Sequence, residues 1–284
     1  MDRNLVIVGL GYSGGAIARA ALAAGWRVIG TARRPEGAPD DLTAVPFAEA
    51  GEAFRGATHL VVTAPPGEGG DPVLAAHGEA IAAAPLRWVG YLSTTGVYGD
   101  RGGATVDETT PPAPSQPRSV RRRAAEAAWG ALASRAAVDL FRCGGIYGPG
   151  RSAFDDLRNG TARRVIRPGH VFSRIHRDDI ARAVLAAAER PPAPGLRVLN
   201  LVDDLPVESA TVMEGAADML GVAPPPAIPF EEAERTMSPM ARSFWSESRR
   251  VANARTKATL GIEWDYPTWR EGLAAVLAAE RRGG

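Results

Sequence analysis

The sequence predicts an α/β chain: a doubly wound parallel sheet carrying a smaller, mainly helical lobe toward the carboxyl end. Three observations carry this. Short apolar runs recur through the first half of the chain. Ala-rich stretches with helical character separate them, which implies right-handed crossovers between parallel strands. A glycine-rich turn follows the first run directly and opens the first helical stretch.

Residues 5–8, Leu-Val-Ile-Val, are wholly apolar, as a strand buried on both faces must be. Residues 13–24 form a helix that ends at Gly25, a C-cap residue. The next strands are 27–31, 59–63 and 88–92, with an Ala-rich helix over 73–84. A helix over 120–134 then leads to a strand at 138–142. Beyond about residue 145 the texture changes, and loops rich in Gly, Pro and Arg fill 144–173. A helix over 178–190 follows, capped by Asp178 or Asp179. Then come a strand at 196–201, a helix over 207–220, a Pro-rich link at 224–229 and a terminal helix near 268–282. The strand at 196–201 is expected to return to the main sheet. The sheet domain is therefore 1–145 plus about 175–203, and the substrate lobe is 146–174 with 204–284.

Composition narrows the function. With 284 residues, 45% hydrophobic and 23% charged, the chain is an ordinary globular sequence with a substantial core. A net charge of +1 argues against a polyanion binder, so no nucleic-acid partner is expected. Cys143 is the single cysteine, so no intrachain disulfide forms, in keeping with a reducing compartment. The apolar stretch 5–26 holds Arg19 and five glycines. A central Arg costs roughly 2.5–3.5 kcal/mol on membrane insertion. The opening Met1-Asp2-Arg3-Asn4 lacks a signal layout, so a cytoplasmic protein without a membrane partner is expected. The four histidines are dispersed and no C-x-x-C or H-x-x-x-H occurs, so no metal site is expected.

Gly9-Leu10-Gly11-Tyr12-Ser13-Gly14 is a G-x-G-x-x-G turn between a strand and a helix, with a second strand at the expected distance. Glycines there permit a tight turn, let the backbone approach a diphosphate and allow close helix–strand packing. The helix N-terminus offers free N–H groups and a positive dipole end. Gly9, Gly11, Tyr12, Ser13 and Gly14 are thus candidate dinucleotide-binding residues. The second strand ends Thr31-Ala32-Arg33-Arg34, with no carboxylate before Glu36 to accept from a ribose 2′-OH. Two guanidiniums beside Thr31 suit a 2′-phosphate, which favours NADP(H) over NAD(H). Thr63, Ala64 and Pro65, where the next strand run ends, complete the cofactor set.

Four ordered motifs carry a resemblance over nearly the whole chain. They are the glycine turn, Ser93-Thr94-Thr95-Gly96-Val97-Tyr98-Gly99, residues 142–150 (RCGGIYGPG) and residues 173–181 (SRIHRDDIA). Together they resemble the NAD(P)-dependent epimerase/dehydratase family, the extended short-chain dehydrogenases/reductases. The resemblance implies a Rossmann domain with a small C-terminal substrate lobe. It also makes Thr94 the substrate-binding hydroxyl.

Departures from the family pattern are informative. The turn is G-x-G-x-x-G where extended members usually carry G-x-x-G-x-x-G. The family's Tyr-x-x-x-Lys pair is absent. Placing Glu126 at the acidic position four residues past the Lys puts Arg122 at the Lys and Arg118 at the Tyr, and the only lysine, Lys257, follows Asn253 by four residues. The chain therefore resembles an atypical branch that has lost this pair. Arg cannot serve as a general base, and a missing positioned acid/base costs about 10²–10⁴ in rate. Thr95 and Gly96 replace the Asp-Glu of the family's sugar dehydratases, which speaks against 4,6-dehydration.

Candidate catalytic residues are accordingly Thr94 for orientation, Tyr98 or Tyr147 for the proton, and Arg122 at the inherited Lys position, reaching toward the cofactor ribose. His176 reads as a loop or helix-start residue. Residues 151–177 carry an excess of arginine, which fits an anionic small-molecule substrate. The expectation is an atypical NADP(H)-dependent oxidoreductase or epimerase acting on a small, anionic or sugar-like substrate. Its alternative is a catalytically silent NADP(H)-responsive sensor. Family habit and the Ala-rich helices at 73–84 and 120–134 point to a homodimer.

Overall fold

The apolar runs become strands because alternate side chains feed two separate cores. In β1 (Asn4–Val8), Leu5 and Ile7 join Ile17 and Val184 on one side, whereas Val6 and Val8 join Ile81 and Trp129 on the other. A strand can be apolar throughout only when both faces are covered in this way. The structure, a computed structural model, describes residues 3–32 and 42–283. After β1 come α1 (Tyr12–Ala23), β2 (Arg27–Ala32), β3 (Thr43–Pro46), β4 (His59–Val62), α2 (Pro72–Ala83) and β5 (Trp88–Thr94). Then follow α3 (Pro117–Gly130), β6 (Ala137–Cys143), α4 (Arg177–Glu189), β7 (Gly195–Leu201), α5 (Ser209–Leu220) and α6 (Trp269–Gly283).

The seven strands form one sheet in the order β7-β6-β5-β4-β1-β2-β3, with every neighbouring pair parallel. This is a Rossmann-like α/β fold. The chain winds outward from β1 to β3, returns to β4 on the other side of β1, and winds on to β7. The winding reverses between β1 and β4, and ligands of such sheets bind at that reversal, beyond the strands' carboxyl ends. Register sets the stage there. Val8 lies opposite both Thr31 and Val62, so β1, β2 and β4 end level, while β5 and β6 run on together to Thr94 and Cys143.

The strand expected at 196–201 is β7, paired along the full length of β6 from Gly195 to Leu201. Other expectations need correction. The edge strand β3 carries no strong apolar signal, and the sequence reading missed it. Residues 144–173 are not loop throughout: Gly145–Tyr147 pairs with Arg174–His176, Arg164–Ile166 with Ala227–Pro229, and Val171–Phe172 with Val207–Glu208. That last pairing moves the start of α5 from 207 to Ser209. Strands of two or three residues are too short to show period-two alternation. Helix α3 starts earlier than expected, at Pro117, whose fixed φ and missing N–H suit a first helical turn.

Neither Asp178 nor Asp179 caps α4. His176 does so, its Nδ1 accepting from the Asp178 N–H at 3.2 Å. Asp179 is buried and accepts from the backbone of Asp265 at 2.9 Å and Tyr266 at 3.1 Å, fastening α4 to the segment before α6. The lobe has its own core of Phe154, Val212, Trp269, Leu273 and Val276, to which Tyr147 belongs. Among the described residues no helix is long and apolar enough to cross a membrane.

Candidate functional site

The glycine turn sits at the winding reversal and is braced from both neighbouring strands. Thr31, at the end of β2, accepts at its carbonyl from the N–H groups of Gly9 (3.2 Å) and Leu10 (2.8 Å). On the other side the Thr63 hydroxyl, just past β4, donates to the Gly9 carbonyl at 2.6 Å. Gly9 has φ +105°, and a Cβ there would lie 2.5 Å from the Thr63 Oγ1. At Gly14 a Cβ would lie 2.0 Å from the Gly9 carbonyl oxygen, so α1 packs on the turn at a distance only glycine allows. Gly11 differs. It is the N-cap of α1, its φ is ordinary, and a Cβ there would meet nothing within 4 Å.

The N-terminus of α1 has no side-chain cap and no acidic residue in its first turn. It therefore presents unpaired N–H groups and the positive dipole end beside the open space over Gly11. Backbone donors, open volume and no competing side chain fit a diphosphate. Ser13 is half-buried in this first turn and Ala64 half-buried beyond β4, while Pro65 is exposed. The Tyr12 hydroxyl donates to the Pro149 carbonyl at 3.1 Å, and its ring carries the guanidiniums of Arg177 at 4.9 Å and Arg151 at 5.6 Å. Tyr12 thus ties the turn to the lobe. Arg33 and Arg34 lie outside the described residues.

Thr94 ends β5, two strand spacings from β1, or about 10 Å across the sheet. Its Oγ1 accepts from the Gly96 N–H at 3.1 Å, which leaves its own hydrogen to donate. It opens into a cavity of about 340 Å³ that also takes Arg118 from α3, Cys143 from the end of β6, Arg174, and Phe244 and Arg249 from the lobe. Arg118, at the family's Tyr position, points at the Phe244 ring from 4.6 Å. Cys143 is buried, and burial pushes its thiol up to about 12. Glu247 is held by the Ser115 hydroxyl at 2.7 Å and by Arg249 at 2.8 Å.

Both tyrosines proposed as proton carriers are placed elsewhere. Tyr98 is fully buried and does not line the cavity, donates to Asn200 Oδ1 at 2.8 Å and has the Arg142 guanidinium 4.7 Å from its ring. Burial raises its pKa further from neutrality, against the opposing pull of Arg142. Tyr147 lines a separate hollow with Trp269 and Leu273, and its hydroxyl donates to the Thr268 carbonyl at 3.4 Å. Burial chiefly, with the carboxylates Asp203 and Asp179 adding, raises its pKa as well. His176 is also buried, and desolvation lowers it to about 4.

Arg122 turns inward to prop the site. Its Nη1 donates to the Leu92 carbonyl at 2.8 Å and to the Tyr91 hydroxyl at 3.0 Å, fixing the last turn of β5 below Thr94. Glu126 makes two bonds to Arg142, at 3.0 and 2.9 Å, and accepts from Ser93 at 2.6 Å. The sequence reading placed Arg118 in the family alignment without giving it a role. It offered no signal for Phe244, Trp245 or Arg249, because the helix Pro239–Trp245 has only seven residues.

A seven-stranded parallel sheet, a glycine turn at its winding reversal and a cavity beyond the neighbouring strands make up a Rossmann-like α/β arrangement. No family model matches the chain. Over 97% of its length it is similar to a conserved protein of unknown function from Silicibacter pomeroyi, with 46% identity, 98% of that chain covered and a TM-score of 0.90. A solved NAD-dependent epimerase/dehydratase from Methylobacillus flagellatus is 26% identical over 99% of this chain and all of its own, with a TM-score of 0.76. The human epimerase family protein solved with NADPH shares the fold, with 20% identity, 96% and 99% of the two chains covered, and a TM-score of 0.76. Among curated proteins, 142 residues are 32% identical to 3-diazoavenalumate denitrifying reductase from a Streptomyces species, spanning 47% of this chain and 45% of that one. The match thus takes in under half the length of that relative. In sequence and fold the chain is thus similar to NAD-dependent epimerase/dehydratase proteins.

Proposed function

We propose that the chain is an NADP(H)-dependent reductase of a small anionic substrate, with Thr94 and Arg118 at the reacting centre. The observation that carries this is the pairing of the uncapped α1 N-terminus, with open space over Gly11, and the Thr94 cavity two strands away. An anion site at the sheet's winding reversal and a substrate cavity beyond the neighbouring strands are the two parts that such a reductase would need. The reductase among the curated relatives supports the direction of reaction, and the absence of a carboxylate before Glu36, with Arg33 and Arg34 in its place, supports the cofactor.

The backbone N–H groups of the α1 first turn would hold the diphosphate, with Thr31 and Thr63 keeping the turn in shape. Arg33 and Arg34 would supply the charge for an adenosine 2′-phosphate. Reduced nicotinamide supplies a hydride when bound. Thr94 donates its hydroxyl hydrogen to the substrate atom that gains negative charge, and Arg122 positions Thr94 through the end of β5. Arg118 adds a full positive charge at the same centre. Among the described residues no Tyr, Lys or His lines the cavity, Cys143 is held too basic to titrate and Glu247 is already paired. The proton that balances the hydride therefore comes from water, and Tyr98 and Tyr147 take no part.

Fluorescence titration with NADPH and NADH tests the cofactor. Arg33→Ala with Arg34→Ala should weaken NADPH at least tenfold and leave NADH unchanged. Equal losses, or tighter binding of NADH by the unaltered chain, would overturn the assignment. The sensor reading is favoured instead if NADPH binds tightly but no anionic acceptor oxidises it.

A further inference from the structure

The geometry points to a flat, conjugated carboxylate as the molecule this cavity takes, with Arg118 and Arg174 as its anion receptors and the rings of Phe172, Phe244 and Trp245 as its walls. The inference rests on the proposed reductase reading and gives its substrate a chemical class.

Charge comes first. Three arginines and one carboxylate line the cavity, and that carboxylate is spent: Glu247 pairs with Arg249 at 2.8 Å. Arg118 and Arg174 remain, and among the described residues neither has an ion pair. Arg118 lies over the Phe244 ring at 4.6 Å. Arg174 donates from Nη1 to the carbonyls of Phe172 at 2.9 Å and Val207 at 3.2 Å, and its guanidinium lies 5.8 Å from the Phe172 ring. Asp203 does not line the cavity and makes no side-chain hydrogen bond to Arg174, and burial pushes its carboxyl up to about 7. Two cations in a half-enclosed space, each backed by a ring, match the demands of a carboxylate.

Shape and polarity then separate a flat acid from a sugar. Phe172 meets Trp245 edge to face at 5.0 Å, and Phe244 is next to Trp245 in sequence, so three aromatic rings line the wall. Such walls favour a flat conjugated body. A sugar would need partners for each of its hydroxyls, since an unpaired buried polar group costs about 1–3 kcal/mol. Several of the polar groups here are occupied already. Ser243 donates to the Met240 carbonyl at 2.7 Å, Ser173 accepts from the Val251 N–H at 3.3 Å, and Gln116 donates to Ser246 at 3.1 Å. At about 340 Å³ the cavity is also near the small end of ligand sites. The neighbouring hollow past Arg174 sets Asp155 and Asp156 against Arg151, which does not favour an anion.

Calorimetric titration of the full chain at pH 6.5 tests the inference, with trans-cinnamate, cinnamamide and cyclohexanecarboxylate as probes. Cinnamate should bind at least tenfold more tightly than its uncharged amide and than the puckered, saturated acid. Arg118→Gln, at an exposed position, should erase most of the preference for acid over amide, with its melting curve confirming that it is folded. Arg174→Gln should act in the same direction. Equal affinity for acid and amide, or an unchanged preference in Arg118→Gln, overturns the anion receptors. Equal affinity for the saturated acid overturns the flat-body requirement. NADPH titration of the same samples separates the two readings: a chain that binds NADPH but not cinnamate loses this inference alone. One that binds cinnamate but not NADPH loses the reductase reading.

Discussion

Two glycines three residues apart make opposite predictions when each gains a methyl group. In Gly14→Ala the new Cβ would lie 2.0 Å from the Gly9 carbonyl oxygen and 3.1 Å from its carbon. Backbone atoms cannot swing aside, so α1 must shift away from the turn. Such overpacking costs at the upper end of about 1–3 kcal/mol. In Gly11→Ala the new Cβ meets nothing within 4 Å, and the backbone, at φ −77° and ψ −158°, is one that alanine adopts. The fold should lose less than about 1 kcal/mol, the cost of a poorer N-cap. The methyl would nevertheless occupy the space over the first turn of α1, where the diphosphate must come closest. Urea denaturation should therefore show a large loss for Gly14→Ala and almost none for Gly11→Ala. NADPH titration should show at least a tenfold loss for Gly11→Ala in a chain as stable as the original. Unaltered NADPH affinity in Gly11→Ala would refute the placement of the diphosphate, whatever the effect at Gly14.

Further predictions concern what lies beneath the site. Glu126→Gln leaves the buried Arg142 guanidinium without its counter-charge and should cost about 3–5 kcal/mol in urea denaturation, much of it regained when Arg142→Met is added. Tyr98→Phe strips the donor from buried Asn200 Oδ1, which should cost about 1–3 kcal/mol and leave NADPH affinity unchanged. Burial raises Asp203 to about 7, with Arg174 opposing and Asp204 adding to the rise. The neutral carboxyl thus contributes stability that is fully present below its unfolded value of about 4 and is lost as pH rises through 7, roughly 4 kcal/mol in all. Asp203→Asn should flatten the decline in stability from pH 5 to pH 8, with Asp179, raised to about 6 by its own burial, keeping part of the slope.

The sheet was legible because each inner strand is apolar on both faces and each crossover helix is Ala-rich. The glycine turn was legible because its spacing is a steric requirement: Gly9 and Gly14 are packed where no Cβ fits. The edge strand β3 and the paired segments of the lobe were hidden because two to four residues carry no periodicity, and their partners lie far along the chain. Val171 pairs with Glu208, and Arg164 with Ala227. The placement of the tyrosines was hidden for a different reason. A phenol at a family position reads the same whether its hydroxyl faces substrate or, like that of Tyr98, a buried Asn200. Only the fold decides between them.

The sequence resemblance sets Arg118 and Arg122 against the family's tyrosine and lysine, and the structure places the two arginines differently. Arg122 is turned against the sheet, where the Leu92 carbonyl and the Tyr91 hydroxyl hold it, and it can act only through the backbone it supports. Arg118 stays in the cavity with a ring behind it and no carboxylate on it. Partial desolvation at the cavity wall lowers its pKa although the residue as a whole is exposed, and the charge on Arg122 adds to that, yet guanidinium starts so high that it remains a cation. A group that cannot exchange a proton contributes to a transition state through charge and hydrogen bonds alone. On the proposed reading this restricts the enzyme to acceptors whose new charge a cation can hold until water protonates it. It also removes the phenol titration that would otherwise shape the rate. With an accepted substrate, turnover should not rise between pH 7 and pH 9 in the unaltered chain, and Arg118→Lys should retain more of it than Arg118→Gln. A rate that rises with a single ionisation across that range would mean that a side chain moves the proton, and the assignment of Arg118 would fail with it.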